Sequence, residues 1–360
     1  MTRLRTAVGF VAVLMCSPII ARADVVLDWD AIAVNTLISQ GQSPFAQARY
    51  LAITQLAVFE AVNSIMGDYE PYLGTVVAPA GASPDAAAIA ASYRVLKSYF
   101  PGAATLDTAY AASLALIVDG TSKAAGIATG EAAAAQMIAL RVNDGSLPPA
   151  FYQPESSDPG VWQTTPSCPA VGGINFQWQN MTPFGAASIS SGETWFDQFL
   201  PGPPPALTSR SYAKDYAEVK ALGSLNSTER PKDRADVARF FAASSPSFAF
   251  NLAARQVAVA QGKSMSENAR ALALLNMAVN DSLVASFGAK YYYLLWRPET
   301  AIRAGTLDGN ANTDPDLTFA PFITTPCFPS YPSNHASASN AAAEIMRRLY
   351  GAGGHHITMT

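Results

Sequence analysis

The chain has 360 residues, enough for one large domain or two ordinary ones with a substantial core. Its net charge of -4 offers no electrostatic basis for binding nucleic acid, so that class of partner is excluded. Hydrophobic residues, many of them alanine, make up 49% of the chain and charged residues only 14%, which favours closely packed helices over a highly charged surface.

The N-terminal residues have the pattern of an export signal. Arg3 precedes an apolar stretch from Ala7 to Ile20, and Ala21–Ala23 form a cleavage site of the Ala-x-Ala type. An anchor helix is the alternative, but the apolar run is short and Pro18 interrupts it. We therefore predict a signal peptide over residues 1–23 and a secreted or periplasmic mature protein. No later stretch is expected to be long and apolar enough to span a membrane.

Helical periodicity dominates the rest of the chain and predicts an all-α fold. Ser83 and Pro84 have the pattern of a helix start, as do Ser264 and Glu267, which are spaced for a capping box. Glycines at positions 126 and 130 indicate close packing between soluble helices. The segments predicted to be helical are residues 47–66, 83–100, 106–118, 123–142, 211–223, 232–243, 248–262, 264–298 and 333–351.

The segment of residues 147–210 is rich in proline and glycine and holds Trp162, Trp178 and Trp195. A long irregular segment in a compact protein is usually a functional lid or a disordered linker. The tryptophans favour an ordered lid, and a connector between two helical halves is the alternative. It also holds Cys168, which with Cys327 remains after signal removal. An exported pair predicts a disulfide, with two buried free thiols as the alternative.

Two stretches carry residues suited to chemistry. In the first, KYYYLLWRP, Lys290 and Arg297 lie seven positions apart, which on a continuous helix is two turns and nearly the same face. Two such cations can converge on one anion, with Arg297 offering a planar fork of donors. The alternative is a pair of surface cations extending from a helix into solvent.

In the second stretch, FPSYPSNHASASNAAAE, Pro332 precedes a predicted helix whose first turn holds Ser333, Asn334 and His335. The first N–H groups of a helix lack internal partners and favour an anion. Ser333 adds a hydroxyl group, and His335 adds a group that can donate a proton near neutral pH. A plain capping motif with a buried histidine is the alternative.

Together, Lys290, Arg297-Pro298 and the Pro332–His335 tetrapeptide resemble two of the three signature motifs of the vanadium-dependent haloperoxidase and type 2 phosphatidic acid phosphatase superfamily. The similarity extends over most of the mature chain and is greatest to the bacterial secreted haloperoxidase-like branch. The resemblance implies an all-helical fold of two four-helix bundles with the site at one end of a bundle. It makes residues 24–360 one helical domain.

The resemblance also implies the roles of the candidate residues. Lys290 and Arg297 would bind equatorial oxygens of vanadate, or of a phosphate group. Ser333 would donate its hydroxyl hydrogen and Asn334 its backbone N–H, although the family commonly has glycine at that position. His335 would be the catalytic acid–base residue. No protein ligand to the metal is assigned, because that histidine belongs to the third motif.

The third motif, Ser-Arg followed after five residues by His, has no match in these residues. Ser209-Arg210 lies upstream with Tyr216 in the histidine position, and Arg348 and His355 miss the spacing by one. The domain is therefore expected to be incomplete at its C-terminus, with the last helices missing. Both chemistries of the family need this histidine, so the chain is predicted to be inactive.

Three hypotheses follow for function. The first is a haloperoxidase-like protein, which in complete members of the family uses vanadate and hydrogen peroxide to oxidise halide to hypohalous acid. The second is a secreted acid phosphatase that uses the same residues for a phosphate ester and needs no cofactor. The third is a non-catalytic fragment that binds oxyanions.

Overall fold

The structure, a computed structural model, describes residues 24–185 and 197–359, so the predicted signal peptide and Trp195 lie outside the described residues. Within these ranges the chain forms α-helices, three 3-10 turns and only isolated β-bridges, which confirms the predicted all-α fold. The helices are α1 (Val25–Ser39), α2 (Pro44–Met66), α3 (Pro84–Tyr99), α4 (Ala104–Leu114), α5 (Thr121–Leu140), α6 (Arg210–Gly223), α7 (Lys232–Ala243), α8 (Pro246–Ala260), α9 (Met265–Tyr293), α10 (Pro298–Arg303) and α11 (Asn334–Tyr350).

Local capping signals predicted several helix starts correctly. The Ser83 hydroxyl accepts a hydrogen bond from the N–H of Ala86 at 3.2 Å and caps α3. Ser264 and Glu267 form the predicted capping box at the start of α9. Helices α1 and α10 were not predicted. With only 6 residues, α10 is too short for its periodicity to be recognised.

The helices form two groups joined at the centre of the fold. Helices α3 and α5 pack on α2, α8 and α11 pack on α9, and α2 and α9 pack against each other. Helix α11 buries every fourth residue, which is the stripe expected of a helix lying along a partner. Those residues are Asn334, Ala338, Ala342, Met346 and Tyr350. As a result, the N-terminus of α11 lies beside the last turns of α9, where the Ser286 hydroxyl bonds to the Asn334 side chain.

Gly126 and Gly130 of α5 permit the close approach to α3 that their spacing predicted. A Cβ atom at Gly130 would lie 2.2 Å from the Ala87 carbonyl oxygen and 2.8 Å from the Ala91 nitrogen. A Cβ at Gly126 would lie 2.3 Å from the Ser83 carbonyl oxygen. Because these neighbours are backbone atoms, α3 itself would have to move to admit a side chain.

We expect Gly130→Ala to destabilise the protein by about 1 kcal/mol in all, since overpacking a tight contact costs about 1–3 kcal/mol or more. Alanine favours a helix over glycine by about 1 kcal/mol, so a net loss means that the steric contact outweighs helix propensity. Urea unfolding monitored by circular dichroism measures the change. Gly102→Ala is the control, because no atom lies within 4 Å of its added Cβ. Equal stability of both variants and the wild type would contradict the packing argument.

The segment of residues 147–210 is held against the last part of the chain. Cys168 and Cys327 form the predicted disulfide, with their Cα atoms 5.2 Å apart. The Ile174 N–H donates to the Cys327 carbonyl at 2.9 Å, and the Trp162 N–H donates to the Leu294 carbonyl at 2.6 Å. The Trp162 side chain is fully buried. The described part of this segment is therefore packed structure.

By length and composition alone, helix α9 could cross a membrane. The expectation that no stretch after the signal is long and apolar enough to do so was therefore wrong. In the fold, 72% of its most apolar window is buried inside the protein. Its apolar surface packs against α2, α8 and α11.

Candidate oxyanion-binding site

Lys290 lies in the last turn of α9 and is almost fully buried, with 1% of its surface exposed. Its ammonium group donates to the Pro329 and Ser330 carbonyls at 2.9 and 3.0 Å. Burial, and secondly the charge of Arg297, hold the pKa of Lys290 well below its ordinary value. An anion bound nearby would counter both effects and favour the charged ammonium form.

Lys290 and Arg297 do not share a helix face, so that part of the sequence argument was wrong. Helix α9 ends at Tyr293, and Leu294 takes the left-handed conformation with φ 48°. Leu295 then pairs with Val161 in an isolated bridge, and Arg297 caps the start of α10. The end of α9 at Tyr293 and the separate start of α10, and not helical periodicity, bring the two cations to the same loop.

Arg297 approaches the loop before α11 from the side of α10. Its Nε donates to the Phe328 carbonyl at 2.5 Å, and its guanidinium lies 4.7 Å from the centre of the Phe328 ring. The Lys290 ammonium lies 5.2 Å from the same ring. Burial lowers the pKa of Arg297 to about 10. Its Nη2 atom is buried, and no described residue accepts a hydrogen bond from it.

Ser333 and Asn334 form the N-terminus of α11. The Ser333 hydroxyl oxygen accepts from the Ala336 N–H at 3.2 Å, so its own hydrogen is left to donate elsewhere. Asn334 is buried, and its Oδ1 accepts from the Ser286 hydroxyl at 2.5 Å. The predicted helix start is confirmed, with Ser333 as the N-cap.

His335 is exposed at the start of α11, in contrast to the buried histidine of the alternative interpretation. Its Nε2 lies 3.2 Å from the Phe241 carbonyl oxygen at the end of α7, and the two rings meet edge to face. A carbonyl oxygen only accepts hydrogen bonds, so Nε2 carries the hydrogen in this contact. The other ring nitrogen, Nδ1, is then the one that can take up a proton.

All five candidate residues line one cavity of about 440 Å³. The first residues of three helices line it too: Pro44 and Phe45 of α2, Pro246 and Ser247 of α8, and Asn334 and His335 of α11. Each helix N-terminus carries partial positive charge. Together with Lys290 and Arg297 they make this cavity suited to an anion with several oxygen acceptors.

The remaining candidates for the third motif lie elsewhere. His355 and His356 follow the C-terminal end of α11, and its 17 residues put about 25 Å between that end and His335. Arg348 pairs with Glu344 at 2.6 Å. Ser209 caps α6, and neither it nor Arg210 lines the cavity.

Sequence reasoning missed several residues of the site. Ser286 lies four positions before Lys290 on a helix, and this spacing was the available signal. Phe328 is the first residue of the stretch FPSYPSNHASASNAAAE. No feature of the sequence near Phe241 predicts a contact with the cavity. The predicted lid is not found among the described residues of segment 147–210, because none of them lines this cavity. Its disulfide instead supports the loop that carries Phe328.

Several known proteins are similar to this chain. The model of the second helical-bundle domain of the VCPO family matches residues 270–360, which hold all five candidate residues. The chain is 25% identical to vanadium chloroperoxidase of Curvularia inaequalis over 380 aligned positions, which cover 85% of this chain. It spans 61% of the length of that curated relative.

Two solved structures share the fold. One is described as the first bacterial vanadium-dependent iodoperoxidase, with a TM-score of 0.73 and 23% identity over 93% of this chain and 83% of the other. The second is an apo-type bacterial vanadium-dependent chloroperoxidase, with a TM-score of 0.63 and 16% identity over 86% of this chain and 78% of the other.

Proposed function

We propose a function for this chain from its family: it belongs to the vanadium-dependent haloperoxidase and type 2 phosphatidic acid phosphatase superfamily, and we infer a haloperoxidase-like protein that binds vanadate. One observation supports the binding site most strongly. The buried Lys290, the half-buried Arg297 and the N-termini of three helices line a single cavity.

The donor set of the cavity fits the oxygens of vanadate. Arg297 has a buried Nη2 with no acceptor in the described residues, and Ser333 has a free hydroxyl hydrogen. Lys290 contributes charge, although its hydrogens already reach two backbone carbonyls. The Asn334 backbone N–H belongs to the helix turn that lacks internal acceptors. These groups would hold the anion by its oxygens.

His335 is the residue proposed to move a proton. The Phe241 carbonyl fixes its Nε2–H, which leaves Nδ1 to exchange a proton with the ligand or with peroxide. When bound, vanadate supplies the Lewis acid that activates hydrogen peroxide toward halide. Hydrogen peroxide and halide are therefore the proposed small-molecule partners of the complete site.

Isothermal titration calorimetry of the mature chain with orthovanadate tests the site. We expect weak binding at one site and competition by inorganic phosphate, because both anions are tetrahedral and need the same donors. Hydrolysis of p-nitrophenyl phosphate would favour the phosphatase alternative. Vanadate binding that phosphate does not displace would place the anion elsewhere and contradict the proposal.

Export of the mature chain is also proposed, with residues 1–23 removed. The disulfide between Cys168 and Cys327 supports this, since such bonds persist mainly in oxidising compartments. Asp24, the first residue after the proposed cut, caps α1 by accepting from the Leu27 N–H at 3.0 Å. We expect N-terminal sequencing of exported protein to begin at Asp24. A sequence beginning at Met1 would refute the cleavage.

A further inference from the structure

We propose that the side-chain amide of Asn334 is a direct ligand of the bound oxyanion and that Ser286 is its positioning residue. This inference rests on the proposed function, and it assigns a donor that the family pattern of glycine at this position does not provide.

The first observation is the state of the amide itself. Only 8% of Asn334 is exposed, and its Oδ1 accepts from the Ser286 hydroxyl. Its Nδ2 is buried with no hydrogen-bond acceptor in the described part of the chain. Burying an amide donor without an acceptor is unfavourable, so a buried unpaired Nδ2 indicates a partner outside the chain.

The second observation is where Asn334 lies in the fold. Asn334 lines the same cavity as Arg297, whose buried Nη2 also lacks an acceptor within the described ranges. The two residues belong to different elements, α11 and the start of α10. A tetrahedral anion offers acceptor oxygens in several directions, so one ligand can satisfy both donors.

The third observation is how the amide is held. Ser286 lies on α9, one turn before Lys290, and its hydroxyl bond to Oδ1 fixes which side of the Asn334 amide faces Ser286. The two hydrogens of Nδ2 are therefore on the opposite side. A neutral amide keeps the same donors at every pH at which the protein is folded, whereas Lys290, with its lowered pKa, loses its positive charge as the pH rises.

Orthovanadate titration of four variants tests the inference. Asn334→Ala should lower vanadate affinity about tenfold, the loss of one good hydrogen bond to a charged group. Ser286→Ala should lower it about threefold, and Ser286→Thr, which keeps the hydroxyl, should restore it. Asn340→Ala is the matched control, because Asn340 is an exposed asparagine on the same helix. It should bind vanadate like the wild type.

The outcomes separate this inference from the proposed function. Unchanged affinity in Asn334→Ala, together with loss of binding in Arg297→Ala, would overturn the inference and leave the function standing. Unchanged affinity in both variants, or no binding by the wild type, would overturn both. If Asn334→Ala unfolds in circular dichroism, Asn334→Asp replaces it, since a carboxylate of the same size should abolish binding by repulsion. Retained binding in that variant would also overturn the inference.

Discussion

Replacement of Arg297 with alanine is expected to abolish measurable vanadate binding, a loss of at least about 30-fold. Removing one partner of a desolvated charged contact costs about 2–5 kcal/mol, and no other described side chain of the cavity offers a planar fork of donors. The lost positive charge of Arg297 is partly compensated by Lys290, because the pKa of Lys290 rises when this cationic neighbour is removed. The loss therefore combines the uncompensated part of the charge with the hydrogen-bonding geometry of the guanidinium.

Calorimetric titration of Arg297→Ala with orthovanadate checks this expectation. Arg297→Lys separates charge from geometry and should bind more weakly than the wild type but better than alanine. Arg94→Ala is the control, since Arg94 is an exposed arginine on α3 that does not line the cavity. Wild-type affinity in Arg297→Ala would mean that the anion binds at another place.

A polypeptide of residues 24–360 is expected to show no appreciable haloperoxidase or phosphatase turnover. Both activities in the family require the histidine of the third motif. The three histidines of the sequence are His335, His355 and His356. The last two follow the far end of α11, whose 17 residues span about 25 Å, and neither of them lines the cavity. Bromide oxidation with added vanadate and peroxide measures the first activity.

The double variant His355→Ala/His356→Ala is assayed in parallel. Vigorous vanadate-dependent bromide oxidation by the unmodified polypeptide would contradict the expectation. Loss of that activity in the double variant would identify a distant histidine as the replacement ligand. Its persistence would mean that the reaction does not need a third-motif histidine at all.

The helices and the positions of the candidate residues could be predicted because their signals are local. Ser83 and Ser264 begin helices through contacts three residues away, and Ser333 does the same at the cavity. The glycine pair of α5 likewise reports a contact that only a missing side chain permits. Each of these signals is a pattern of residues close together in the chain, so it can be recognised in the sequence alone.

The assembly of the cavity could not be predicted, because it depends on contacts between distant segments. The starts of α2 and α8 reach the site only through tertiary packing. The contact between Phe241 and His335 spans 94 positions, and the bond between Ser286 and Asn334 spans 48. The end of α9 at Tyr293 is followed by a bridge between Leu295 and Val161, a partner from the irregular segment.

The turn at Leu294 has a consequence for how this segment can evolve. Lys290 is fixed by α9 and Arg297 by the start of α10, so the residues between them must close a gap of set size. One inserted residue adds up to about 3.3–3.6 Å of extended chain, more than the length of a hydrogen bond. Relatives that bind the same anion should therefore exchange side chains between these cations more readily than they gain or lose a residue.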